Sequence, residues 1–213
     1  MIEYPEAHAL HVASNLASAE EVERYRADGG WENSRLGIAD EVFRRRGSIR
    51  EFAPEPIAHE ELAAILAGAI APIPLDVPPS NEFRLIANAV EGLEPGAYRF
   101  EPPDRFQRLR AGNLRRQAGY LVLEQYLGAL AAATMFAMVD LDEVLERHGN
   151  RGYRAAQLEA GIRVGRVYLG AFARGLGATA STFYDDDVTA FLASEEGLSP
   201  MLAVAVGRRE RRT

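Results

Sequence analysis

The sequence predicts an α+β domain in which helices surround a small sheet. Three observations lead there. Apolar residues recur at helical spacing, as at Leu62, Ile65, Leu66 and Ala69. Elsewhere they alternate with polar residues or run unbroken over strand-like lengths, as in 83–90 and 201–206. Glycine, proline and aspartate cluster between these stretches and supply the breaks. The 213 residues are enough for one domain. They divide into a helical extension, residues 1–35, and a main domain, residues 36–213.

Ser18-Ala19-Glu20-Glu21 is a capping-box pattern opening a short helix that reaches Ala27, and Asp28-Gly29-Gly30 stops it. A second helix is expected from Glu32 or Ser34 to Arg45. Pro54 and Pro56 lead into a third, with Glu60 and Glu61 in its first turn, where carboxylates favour the positive end of the dipole. The proline-rich segment from Pro72 to Pro79 cannot be regular and suits a site loop. Residues 83–90 alternate as a strand, and the turn from Glu91 to Gly96 leads into a second strand, 97–100. One long helix is expected over 113–130, then a buried strand over 132–139. The stretch from Arg147 reads as a loop into a long helix, 154–174, which Gly175-Leu176-Gly177 closes. Asp185, Asp186 and Asp187 cap a short helix over 188–193. Met201 to Val206 is apolar throughout, as befits a central strand covered on both faces.

Composition excludes several chemistries. There is no cysteine, so disulfides, thiolate catalysis and zinc–thiolate sites are out. All 24 basic residues are arginine, which removes Schiff-base lysines and the P-loop lysine. A net charge of −7 argues against general nucleic-acid binding, which needs a basic face. No apolar run approaches the length of a membrane span. The first residues show no basic segment followed by an apolar signal core. A cytoplasmic protein without membrane or nucleic-acid partners is therefore expected.

Within this acidic chain, four arginines and a serine crowd into Arg44-Arg45-Arg46-Gly47-Ser48-Ile49-Arg50. Positive charge, a hydroxyl and backbone amides at a helix boundary suit a phosphate. A solvated basic helix end fits the same residues. His8 and His11 lie three apart, but no further ligand follows at a metal spacing, so no metal site is expected. The triple aspartate reads as a helix start in preference to a cation site. Gly175-Leu176-Gly177 follows a helix instead of a strand, which defeats a dinucleotide-binding reading. No serine occupies a Gly-x-Ser-x-Gly elbow.

Four segments, in this order, resemble the nitroreductase-like FMN flavoproteins. Arg46-x-Ser48-x-Arg50 is similar to the opening motif of that family. The resemblance implies that Arg46 and Ser48 hold the flavin phosphate and that Arg50 reaches the pyrimidine edge. Pro79-Ser80-Asn81 resembles a loop that contacts flavin across the subunit interface, which would make Ser80 and Asn81 cofactor contacts. The turn holding Thr182 and Phe183 resembles the one that sets a backbone N–H opposite flavin N5. The apolar final strand ends in Gly207-Arg208, where the family often adds a phosphate contact. The family resemblance also implies a homodimer with flavin between subunits.

The turn from Glu91 to Tyr98, and Arg151-Gly152-Tyr153-Arg154 followed by Leu158-Glu159-Ala160-Gly161, look like the azoline dehydrogenase branch. That branch oxidises thiazolines and oxazolines of peptides. It commonly carries Lys-Tyr as the catalytic pair, where this chain has Arg147-His148. Arginine cannot act as a base near neutral pH and histidine can. The resemblance therefore points to His148 and Tyr153 as catalytic residues acting on a peptide or small-molecule substrate. An NAD(P)H-dependent nitro or quinone reductase, or a flavin-free partner subunit of the same fold, would carry many of the same motifs.

Overall fold

The computed structural model describes residues 5–15, 18, 20, 40–73, 75, 80–193 and 197–210. Most of the helix expected from Ser18 to Ala27, most of the one ending at Arg45, and most of the proline-rich segment lie outside these residues.

Among the described residues, six strands form one antiparallel sheet in the order β3-β2-β1-β4-β6-β5. They are β1 (Glu82–Ala87), β2 (Gly96–Glu101), β3 (Arg105–Ala111), β4 (Ala133–Val139), β5 (Gly177–Ser181) and β6 (Ser199–Gly207). The helices are α1 (Pro5–Ala13), α2 (Asp40–Arg45), α3 (His59–Ile70), α4 (Arg115–Leu121), α5 (Tyr126–Leu130), α6 (Leu141–Ala173) and α7 (Asp185–Leu192).

The period of two in a strand divides the core between the sheet's faces. Met135, Ala137 and Val204 pack with Leu62 and Leu66 of α3 and with Ala160, Val164 and Val167 of α6. Phe136, Met138, Ala203 and Ala205 pack on the other face with Leu121, Leu127, Val188 and Leu192. Residues of both parities are thus buried, which is why β4 and β6 are apolar along nearly their whole length.

The sequence expectation of about four strands misses β3 and β5. In β3 the residues are mostly exposed and carry Arg105, Arg108 and Arg110, so no buried face marks it. It is a charged edge strand, a form that discourages pairing with other chains. The short β5 is held by pairing with β6 from Gly177↔Gly207 to Ser181↔Ala203, not by an apolar pattern of its own.

The single helix expected over 113–130 is corrected to two, α4 and α5. Leu123 and Glu124 have φ of 60° and 58°, a left-handed conformation that ends any right-handed helix. The Tyr184 N–H caps the broken end by donating to the Leu121 carbonyl at 3.0 Å. A Cβ on Gly128 would lie 2.5 Å from the Ala118 carbonyl oxygen, so the two short helices meet where only glycine fits.

The loop expected from Arg147 is likewise corrected. Helix continues on both sides of Gly149, whose φ of 57° and ψ of −159° make a kink inside α6. A Cβ at Gly152 would lie 2.7 Å from the Val144 carbonyl oxygen across this bend. The C-cap signal holds, with Gly175 at φ 71°.

Candidate functional site

The arginine cluster leaves α2 and runs across the ends of β5 and β6. Ser48 forms a parallel bridge with Ala178, and the Ile49 N–H donates to the Ala178 carbonyl at 3.1 Å. Further along, the Ala53 N–H donates to the Arg208 carbonyl at 2.9 Å. Backbone pairing therefore sets where Arg46 and Ser48 stand. They line a cleft of about 570 Å³ with Phe43, Gly161, Gly165, Arg166 and Tyr168 among its walls.

The far wall is one face of α6. A Cβ built on Gly161 or Gly165 would meet nothing within 4 Å, so packing inside this chain demands neither glycine. Each costs a helix interior about 1 kcal/mol relative to alanine. The Tyr168 hydroxyl reaches Ser48 Oγ at 3.0 Å and accepts from the Ala180 N–H. Arg166 donates through its two terminal nitrogens to the carbonyls of Ala71 and Pro72 beyond the end of α3. Burial and the neighbouring Arg163 charge lower its pKa.

Ser80 and Asn81 meet a different group. The buried Glu159 carboxylate accepts from the Ser80 N–H at 2.7 Å, the Asn81 N–H at 3.1 Å and Asn81 Nδ2 at 2.8 Å. Arg163 Nε completes the set at 2.5 Å, and both charged side chains are almost fully buried. Asn81 Nδ2 also donates to the Ala156 carbonyl at 3.2 Å. These two acceptors fix which way the amide faces, and its Oδ1 is then buried without a donor.

The remaining predicted residues are dispersed. Arg50 and Thr182 are exposed, while Phe183 is half-buried and meets Phe136 edge to face at 6.1 Å. Arg208 turns toward α3, donating to the Pro56 carbonyl at 3.1 Å and pairing with Glu61 at 3.3 Å. The same Glu61 carboxylate accepts from the Ala58 N–H at the start of α3. The triple aspartate begins α7, and Asp187 accepts from the Tyr120 hydroxyl at 2.8 Å, which raises the tyrosine pKa.

His148 and Tyr153 stand at the other end of α6. The helical rise places Tyr153 about 22 Å from Tyr168 along the axis. Gln157 joins Tyr153 to Met201 at the start of β6, whereas Ala178, beside Ser48, pairs with Val206 near its end. Around Tyr153, Arg151 and Arg154 hold the end of α1. They donate to the Ser14 carbonyl at 3.2 Å, Ser14 Oγ at 2.6 Å and the His11 carbonyl at 2.8 Å.

Residues 43–208 match the nitroreductase family. The chain belongs to that family. A protein of Methanocaldococcus jannaschii that bears a nitroreductase name is 26% identical over 186 residues, covering 80% of this chain and 90% of the relative. A solved structure from Anabaena variabilis, also named as a nitroreductase, is 29% identical with a TM-score of 0.73. The match covers 80% of this chain and 38% of that longer one. The E. coli microcin synthetase McbBCD complex, solved with truncated pro-MccB17 bound, matches at a TM-score of 0.63 and 17% identity. That match covers 98% of this chain and 95% of the other, and shows likeness of fold.

In this nitroreductase-family chain, sequence reasoning passed over Tyr168, Arg166, Gly165 and the buried use of Glu159. Only Gly161 and Gly165 carried a signal, two glycines four apart within a helical pattern. Among the described residues no group of three or more histidine, aspartate or glutamate side chains gathers as a metal site. No described helix is long and apolar enough to cross a membrane.

Proposed function

We propose that this chain is an FMN-dependent oxidoreductase exchanging hydride with an organic substrate. The observation that carries the reading is the cleft itself. There Arg46 and Ser48 face a glycine-lined helix wall, with cationic and hydroxyl groups at one end. The donor set fits the group. A phosphate is met by a guanidinium and a hydroxyl, and the orphaned acceptor Asn81 Oδ1 suits a ring N–H such as that of a flavin pyrimidine. When bound, the flavin supplies hydride exchange at its N5.

The protein's own part is binding and proton handling. Arg46 and Ser48 hold the phosphate. Arg50 lies nearby in sequence and offers positive charge to the pyrimidine edge, while Asn81 accepts from it. Thr182, Phe183 and Arg208 are assigned as further cofactor contacts through the family motif. Arg208 would have to leave Glu61 to reach a phosphate. His148 is the base that holds the proton a substrate loses as it is oxidised, and Tyr153 follows it on the same helix, past the Gly149 kink.

The separation along α6 supports a homodimer. In such a dimer His148 and Tyr153 of one subunit would meet the cleft of its partner. Within the segment 1–35 read as an extension, the end of α1 fastens on Arg151 and Arg154. A peptide azoline or similar biosynthetic intermediate is the substrate class suggested by the resemblance around Arg151-Gly152-Tyr153-Arg154.

The purified protein should show flavin absorption, or gain it when FMN is added. Arg46→Ala should weaken FMN binding about 10- to 100-fold, the worth of a hydrogen bond to a charged group. A protein that stays colourless with excess FMN would overturn the reading. His148→Ala should lower the rate of substrate oxidation about 100-fold while leaving FMN affinity unchanged, and an unaltered rate would remove His148 from the mechanism. Steady NAD(P)H oxidation with a nitroaromatic would instead favour the nitro or quinone reductase.

A further inference from the structure

The hydroxyl of Tyr168 lies between two groups from distant parts of the chain, Ser48 Oγ and the Ala180 N–H. A backbone amide can only donate, so the phenol oxygen is the acceptor in that contact. With its oxygen engaged, the phenol has one proton to give, and Ser48 Oγ is 3.0 Å away. We propose that Tyr168 is a positioning residue that makes Ser48 a hydrogen-bond donor toward an anion in the cleft.

The order of donation runs from the Ala180 amide to the Tyr168 oxygen, then from the Tyr168 proton to Ser48 Oγ. The Ser48 proton is left to point into the cleft that Ser48 and Tyr168 both line. A phosphate dianion presents acceptors alone and matches an oriented donor. A neutral hydroxyl gains less from it, because charge-assisted hydrogen bonds are the stronger kind. The chain thereby favours the phosphorylated cofactor over its dephosphorylated form. Tyr168 exerts this effect through Ser48. The inference rests on reading this cleft as the phosphate end of an FMN site.

Titration of the cofactor-free protein with FMN and with riboflavin, each followed by quenching of flavin fluorescence, tests it. The wild-type chain should prefer FMN. Tyr168→Phe should weaken FMN binding about tenfold and leave riboflavin affinity unchanged, which also serves as the control for folding. Ser48→Ala should reduce the preference for FMN, and adding Tyr168→Phe to it should change nothing further, since the tyrosine acts through the serine. Equal loss for both ligands would mean a packing role and would overturn the inference. So would an unaltered FMN affinity, or an additive effect on top of Ser48→Ala. If the wild-type protein binds neither flavin, the FMN reading falls and the inference with it. If it binds FMN and Tyr168→Phe does so equally well, the inference alone falls.

Discussion

Glu159→Ala is expected to remove about 3–5 kcal/mol of folding stability, read as a shift of the urea denaturation midpoint. The carboxylate is 2% exposed and its partner Arg163 6%. Its loss would leave a buried guanidinium without a counter-charge. It would also strand the Ser80 and Asn81 backbone donors at the entry to β1. Domains of this size commonly hold about 5–15 kcal/mol in total, so a single substitution would consume a large share. Glu159→Gln should cost less, because an amide keeps one acceptor and most of the volume. A loss below about 1 kcal/mol for the alanine variant would mean that water replaces the carboxylate.

Gly165→Leu should split stability from binding in opposite directions. Leucine is a better helix former than glycine by about 1 kcal/mol. Nothing lies within 4 Å of the position its Cβ would take, and the rest of the side chain extends on the side that lines the cleft. The melting temperature should therefore hold or rise. The same side chain would project into the cleft beside Ser48 and Arg46. FMN affinity should fall about 10- to 100-fold, corresponding to overpacking of about 1–3 kcal/mol. A variant that melts higher and still binds FMN normally would place the cofactor elsewhere.

Local signals were legible where one physical effect dominates a short stretch. The carboxylates Glu60 and Glu61 begin α3 as expected, and Gly175 closes α6 with the left-handed φ that a C-cap needs. The unbroken apolar run at 201–206 is the centre of β6, covered by helices on both sides. In the arginine cluster both readings of the sequence find a counterpart. Its alternative reading, a solvated helix end, still suits the exposed Arg44, while Arg46 lines the cleft.

Other features failed for physical reasons. Edge strand β3 buries little, so hydrophobic periodicity has nothing to report. The break at Leu123 and Glu124 carries no glycine or proline. It is imposed from outside, by the Tyr184 amide on Leu121 and by the close meeting of Gly128 with Ala118. Tertiary packing there overrides good helix formers. Apart from these, Arg208, assigned to a phosphate through family position, pairs with Glu61 and the Pro56 carbonyl, contacts that no local pattern announced.

By itself the sequence determined the kind of fold, the strongly periodic elements and the chemical inventory, including a chain whose only fixed cations are arginines. It could do so because helix caps, strand alternation and charge clusters act over a few residues. The tertiary structure alone decided which residues share a site. It joined Ser48 to Tyr168 across 120 residues, tied Ser80 and Asn81 to Glu159, and set His148 and Tyr153 at the far end of the same helix. Such contacts depend on strand order and on the rigid length of α6, which no local pattern encodes.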